Sequence, residues 1–166
     1  YDSVGVRYKG NSTFCLPNDA SNQKVPYNID INYFVGGQKV MGYKKMKLAN
    51  AWMDPTFMKQ VISAKIYQEY LPTGESNLVK LFSQGNYVGT YVNDESINKQ
   101  FLDKHFDEKN GPLFKCDNID RFCDTTGAPS AMPPNLNFLG DDSTLYYNSY
   151  DMKSDHGWTE LVDLIR

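Results

Sequence analysis

Histidine and cysteine are scarce: the 166 residues hold two histidines, His105 and His156, and three cysteines, Cys15, Cys116 and Cys123. No Cys-x-x-Cys pair occurs, so the ligand spacing of a zinc site is missing. Neither histidine sits in a nucleophile context, and no Ser/His/Asp constellation stands out. No apolar run approaches the ~20 residues that a membrane-spanning helix needs. Charge of one sign is also lacking. A formal net charge of −3 exerts no general pull toward nucleic acid or an anionic membrane. No leader is visible, but the chain opens inside what reads as a strand. Its natural N-terminus is expected upstream, and the missing leader says nothing about secretion. Internal repeats and low-complexity tracts are absent.

Aromatic residues, by contrast, are plentiful. Twelve tyrosines and nine phenylalanines argue for a packed core, because disordered chains lack such residues to bury. Cys116 and Cys123 lie close enough in sequence for a local disulfide in an oxidising compartment; the other reading is two small core residues. Lys44, Lys45 and Lys47 read as a solvated strand edge or as an anion-facing patch. Asn11-Ser12-Thr13 is a glycosylation tripeptide. The acids Asp141-Asp142, and Asp117 with Asp120, suit a solvated loop or a cation.

Alternation of Val4, Val6 and Tyr8 with polar neighbours predicts a first strand. Residues 10–22 read as polar, turn-rich chain. Tyr27, Ile29, Ile31 and Tyr33 alternate with Asn28, Asp30 and Asn32, a second strand, with Gly36-Gly37 turning the chain back through Val40 and Met41. Lys44 to Leu48 continues extended. A helix is expected from Asp54-Pro55 to about Leu71, burying a stripe of Phe57, Met58, Val61, Ile62 and Ile66. Two strands, Asn77–Ser83 and Tyr87–Val92, are joined at Gly85-Asn86. Asn93 or Asp94 then caps a second helix with Ile97, Phe101, Leu102 and Phe106 on one face. His105, beside that face, reads as a structural histidine. Gly111–Lys115 reads as a short strand, 117–143 as loop, and Leu145–Tyr150 as extended. A last helix from Ser154 or Asp155 presents Trp158, Leu161, Val162 and Ile165 together. The pattern is α+β: a twisted antiparallel sheet with a packed helix, without the βαβ alternation of a doubly wound fold.

Gly5 to Ser12 has the spacing of a phosphate-binding P-loop, but Asn11 stands where that motif places its lysine, and no following helix is expected. The P-loop is rejected.

The order of motifs is more telling. Gly5-Val-Arg-Tyr-Lys-Gly-Asn-Ser-Thr13, Lys24-Val-Pro-Tyr-Asn-Ile-Asp-Ile31, Lys47-Leu-Ala-Asn50 with Asp54-Pro-Thr-Phe-Met58, Gly85-Asn-Tyr-Val-Gly-Thr-Tyr-Val-Asn-Asp-Glu-Ser-Ile97 and Gly111-Pro-Leu-Phe-Lys115 run in sequence. Together they resemble the opening half of CotH kinase-like domains, named for a spore coat protein. That resemblance implies the small lobe of an atypical protein-kinase fold over 1–116, with hinge and following helix. Residues 117–166 would begin a helical second lobe.

It further implies a secreted or cell-surface protein (spore coat, cell wall or cellulosome) that binds ATP and Mg and phosphorylates Ser/Thr of surface or coat proteins. The partner would be a protein, with no nucleic acid and no membrane span. Lys24 would contact phosphate, Arg7 and Ser12 in the Gly10–Thr13 turn would lie near it, and Asn93 to Glu95 would form the hinge beside adenine. The family's catalytic and metal-binding aspartates fall in segments with no counterpart before Arg166. By resemblance, then, this stretch carries no catalytic or metal residue and does not itself transfer phosphate. Nor does the expected helix offer a well-placed kinase glutamate: Glu69 lies near its end. The alternative is a non-enzymatic adhesion or cellulosome-associated binding module on the same fold.

Overall fold

In the computed structural model the described residues are 1–19, 22, 24–116 and 134–166. They divide into two compact units, Tyr1–Ile97 and Asn98–Arg166.

The first unit is built on a five-stranded antiparallel sheet. Its strands are β1 (Gly5–Tyr8), β2 (Tyr27–Asp30), β3 (Lys45–Ala49), β4 (Ser76–Ser83) and β5 (Asn86–Asp94), in the order β1-β2-β3-β5-β4. Helix α1 (Ser12–Asp19) joins β1 to β2, and α2 (Lys59–Tyr67) joins β3 to β4. The register aligns Tyr8, Tyr27, Leu48, Asn93 and Asn77 in one row across the sheet. Paired residues project to the same side and neighbours in sequence to opposite sides. This row therefore lies on one face, with Tyr91 and Gly89 further along β5. Arg7, Asn28, Lys47, Asp94 and Ser76 form the adjacent row on the other face. Burial follows the alternation: Leu48 and Tyr91 are buried on the first face, and Val92 on the second.

Helix α1 corrects the expectation of a turn-rich coil over 10–22, and of a Gly10 turn with no helix after it. Pro17 lies inside it, and a proline there removes the hydrogen bond to the carbonyl four residues back. That carbonyl is Thr13 O, and it accepts instead from Asn50 Nδ2 at 2.9 Å. A tertiary donor thus replaces the missing helical one, which no local pattern signals.

The chain between β2 and β3 also departs from expectation. The return strand starts at Lys45, and Val40 pairs only with Tyr43 across Met41-Gly42. The β4–β5 turn is Gln84-Gly85, both at positive φ, one residue earlier than predicted. Helix α2 begins at Lys59 because Phe57 is left-handed (φ 58°). Asp54 still serves the helix start, accepting from Lys59 N at 3.0 Å and from Thr56 N and Oγ1. These hydrogen bonds, led by the Thr56 hydroxyl, hold its carboxyl below the usual carboxylate range. The buried face of α2 is Val61 and Ala64, while Ile62 and Ile66 are about half exposed (48% and 53%). The expected stripe is thus rotated, and the small Ala64 allows close approach.

In the second unit α3 (Lys99–Phe106) is capped by Asn98, whose Oδ1 accepts from Gln100 N and Phe101 N. Asn93 and Asp94, the expected caps, are instead the end of β5. Phe101 is buried, whereas Phe106 is exposed. Strands β6 (Phe114–Cys116) and β7 (Tyr150–Met152) pair antiparallel. A short 3-10 turn (Ser143–Tyr146) replaces the extended piece expected from Leu145, and α4 spans Trp158–Ile165. The core unites Tyr146, Tyr150, Leu161 and Val162 with Phe114, Leu139, Trp158 and Ile165, the α4 face read from the sequence. Tyr146 keeps its hydroxyl satisfied, accepting from Leu139 N and donating to Gly140 O.

Gly157 precedes α4 at φ 141°, and a Cβ there would lie 2.8 Å from Pro112 Cβ and 3.0 Å from Phe114 Cε2. Gly157→Ala is expected to destabilise this unit by about 1–3 kcal/mol, the usual cost of such a backbone conformation. Urea denaturation followed by tryptophan fluorescence checks it, and an unchanged midpoint would contradict this packing.

Candidate functional site

The chain before β2 carries Lys24 across the first face of the sheet. Its backbone is held at both ends: Lys24 N donates to Asn22 Oδ1 at 2.9 Å, and Lys24 O accepts from Asn50 Nδ2 at 3.0 Å. Gly89 on β5 leaves room for the aliphatic stem. A Cβ there would meet Lys24 Cε at 3.1 Å, Cδ at 3.2 Å and Cγ at 3.3 Å. The ammonium ends 4.0 Å from the centre of the Phe57 ring and 5.6 Å from that of Tyr91. Ring faces attract cations, but they do not neutralise one. No carboxylate pairs with Lys24 among the described residues, and burial lowers its pKa below 10.5.

Around this lysine the face is aromatic. Tyr8 packs on Phe14 and Tyr27, and Tyr27 on Tyr91. Burial pushes the Tyr91 phenol up, as does Tyr27 beside it. Tyr91 Oη and Asn93 Oδ1 are both buried without a hydrogen-bond partner among the described residues. Such atoms are uncommon in folded proteins and mark places where water or a ligand belongs.

The opposite face carries a second polar group. Asp94 accepts from Ser76 Oγ at 2.9 Å and Gln60 Nε2 at 2.6 Å. Burial raises its pKa, outweighing these hydrogen bonds and the nearby Lys9 and Lys47. Arg7 lies on this face too. With the Asn28 amide oxygen turned toward it, that oxygen accepts from Arg7 Nε at 3.3 Å and Nη2 at 3.1 Å.

The family model described as CotH kinase protein matches residues 6–166. The chain belongs to the CotH kinase family. A search of curated proteins returns no match. The antiparallel sheet, with α2 inserted between β3 and β4, is consistent with the small lobe of a kinase-like fold.

Against that family frame, the five residues singled out in the sequence are distributed unevenly. Lys24 and Asn93 share the first face; Arg7 is on the other, facing Asn28. Ser12 opens α1 and is exposed. Glu95 follows β5 and latches the chain before β4: its N–H donates to Glu75 O at 2.8 Å, and its Oε2 accepts from Glu75 N at 3.0 Å.

Sequence reading missed the role of Asn50, the burial of Asp94 beneath Gln60 and Ser76, and the use of Gly89, Tyr91 and Phe57 as the seat of Lys24. Gly89, Tyr91 and Asn50 stood inside the CotH-like motifs, but the motifs carried no sign of which residue each would meet. The proposed Cys116–Cys123 bridge is not formed: Cys116 is a free, exposed thiol, whereas Cys15 is disulfide-bonded. The His105 ring lies tilted against Phe101 with centroids 4.4 Å apart, but its buried Nε2 has no hydrogen-bond partner among the described residues. Asp141 pairs with Arg166 at 2.6 Å and Asp142 caps the 3-10 turn; Asp117 and Asp120 lie outside the described residues. Lys45, of the lysine group, pairs with Asp30 at 3.2 Å. Among the described residues no three His, Cys, Asp or Glu side chains lie together as a metal site. Lys24, over two rings and with no carboxylate partner among the described residues, would fit the anionic part of a nucleotide.

The raised pKa of Asp94 has a sign that solution work will show. A carboxyl whose pKa is higher folded than unfolded holds more protons in the native state between 3.8 and its folded value. Stability therefore falls as pH rises through that window. Asp94→Asn is expected to remove this slope while keeping an oxygen for Ser76. Urea midpoints measured from pH 4 to 7 test it; an unchanged slope would assign the dependence elsewhere.

Proposed function

We propose that this CotH family chain supplies the nucleotide-holding lobe of an ATP-dependent kinase that phosphorylates Ser/Thr of surface or coat proteins. The observation that carries this reading is Lys24. A partly buried cation over two aromatic rings, with no acid partner among the described residues, is a site that gains from a bound anion. In this reading Lys24 binds the phosphates, and Ser12, at the start of α1, also faces them. Asn93 and Glu95 serve the base beside the hinge. Arg7 is not required, since it occupies the other face. Bound ATP with Mg would supply the phosphoryl group. The chain's own part is to place the phosphates and offset their charge, which is where most of the catalytic advantage in such transfers arises.

In the same reading residues 1–116 form the small lobe with its hinge and following helix, and 117–166 begin the second lobe. The boundary between compact units falls after Ile97, two residues past Glu95, which suits a hinge there. The disulfide at Cys15 favours an oxidising, extracellular setting, in keeping with the family's association with spore coats. No helix among the described residues is long and apolar enough to cross a membrane. Calorimetric titration with MgATP tests the reading: Lys24→Met should weaken binding about tenfold or more, since a hydrogen bond from a charged group contributes roughly 1.5–3 kcal/mol. Equal affinities would remove Lys24 from the site.

A further inference from the structure

Asn50 is almost fully buried, at 3% exposure, directly after β3. Its amide spends its hydrogens on two carbonyls from separate segments. One is Thr13 O at 2.9 Å, in the first turn of α1; the other is Lys24 O at 3.0 Å. The first carbonyl is bare only because Pro17 carries no N–H. The second belongs to the residue whose ammonium lies over Phe57 and Tyr91. One side chain therefore ties the turn after β1 to the backbone of Lys24.

The turn itself is narrowly specified. Gly10 sits at φ 80°, and a Cβ there would collide with Thr13 Oγ1. With Asn22 holding its N–H and Asn50 its carbonyl, Lys24 has a fixed backbone from which to reach over Gly89. A long lysine chain ordered this way has already lost the rotamer freedom that ligand binding would otherwise remove.

We propose that Asn50 is a positioning residue, which fixes Lys24 over the Phe57 and Tyr91 rings by bridging it to the carbonyl that Pro17 leaves bare. Its role in nucleotide binding rests on the function proposed above; the placement of Lys24 does not. Serine at position 50 is too short to span both carbonyls. Because Asn50→Ser alone risks unfolding the lobe, the test uses it on a Pro17→Ala background, where α1 regains its own donor for Thr13 O. Two quantities are measured: the pKa of Lys24 by NMR of its ¹³Cε, and MgATP affinity by calorimetry.

Pro17→Ala alone should leave Lys24 titrating below 10.5 as in the parent. Adding Asn50→Ser should return the pKa toward 10.5 and weaken MgATP binding about tenfold. A further Lys24→Met should then weaken it little more, because the lysine is already displaced. A Lys24 titration unmoved by Asn50→Ser would overturn the proposal, whatever the nucleotide does. If Lys24 moves but the parent binds no MgATP, the positioning role stands and the kinase reading falls.

Discussion

Asn50→Leu is expected to cost the first unit about 1–3 kcal/mol, from two part-buried carbonyls that each lose a hydrogen bond contributing roughly 0.5–1.5 kcal/mol. Leucine keeps the branched outline of asparagine but is larger, so overpacking at this buried position adds to the loss. What it cannot do is donate to Thr13 O and Lys24 O. The origin of the loss is separable. In a Pro17→Ala protein the helix supplies its own hydrogen to Thr13 O, so the same Asn50→Leu change should cost about 1 kcal/mol less or better. Urea unfolding of the four proteins gives the coupling directly. Strict additivity would mean that Pro17 and Asn50 act independently, against the hydrogen-bond pattern described.

The second large effect concerns Lys24. A lysine whose pKa is lowered by burial binds fewer protons folded than unfolded, between its folded pKa and 10.5. Stability of the free protein therefore rises with pH across that window. A bound polyphosphate reverses the preference, because a nearby anion favours the charged ammonium. MgATP affinity should then fall as pH rises through the free-state pKa of Lys24. In Lys24→Met the affinity should be about tenfold to a hundredfold lower near neutrality and flat over that limb. Lys24→Arg should not restore it. The guanidinium is wider than an ammonium, and the Lys24 stem runs so close over β5 that a Cβ at position 89 would lie 3.1 Å from its Cε.

How much of this was legible in the sequence depends on whether the deciding interaction was local. β2 was plain, since Tyr27 and Ile29 face one way and Asn28 and Asp30 the other. The core face of α4 was plain too, because Trp158, Leu161, Val162 and Ile165 recur at helical spacing. Helix α1 was not. Pro17 and the polar residues around it read as a turn, and its compensation comes from Asn50, thirty-seven positions from Thr13. The orientation of α2 was misread because hydrophobicity ranks Ile62 and Ile66 above Ala64, whereas closeness to the sheet selects the smaller residue. The late start of α2 depends on Phe57 at positive φ, which a bulky aromatic residue does not announce.

The site was legible in part for the same reason. Lys24, Asn93 and Glu95 were named from motif order, and the sheet sets Lys24 and Asn93 on one face. Arg7 was named with them, but strand alternation turns it to the other side. That outcome follows from register, which a motif does not encode. Asp94 was read as a helix cap or as part of the hinge; its burial under Gln60 and Ser76 was not foreseen, because those partners come from other elements.

The most direct measurement is the pKa of the Lys24 ammonium, read by ¹³Cε NMR with and without saturating MgATP. A phosphate-binding lysine should titrate below 10.5 in the free protein and shift upward when the nucleotide binds. A Lys24 titration that MgATP leaves unchanged would contradict the account.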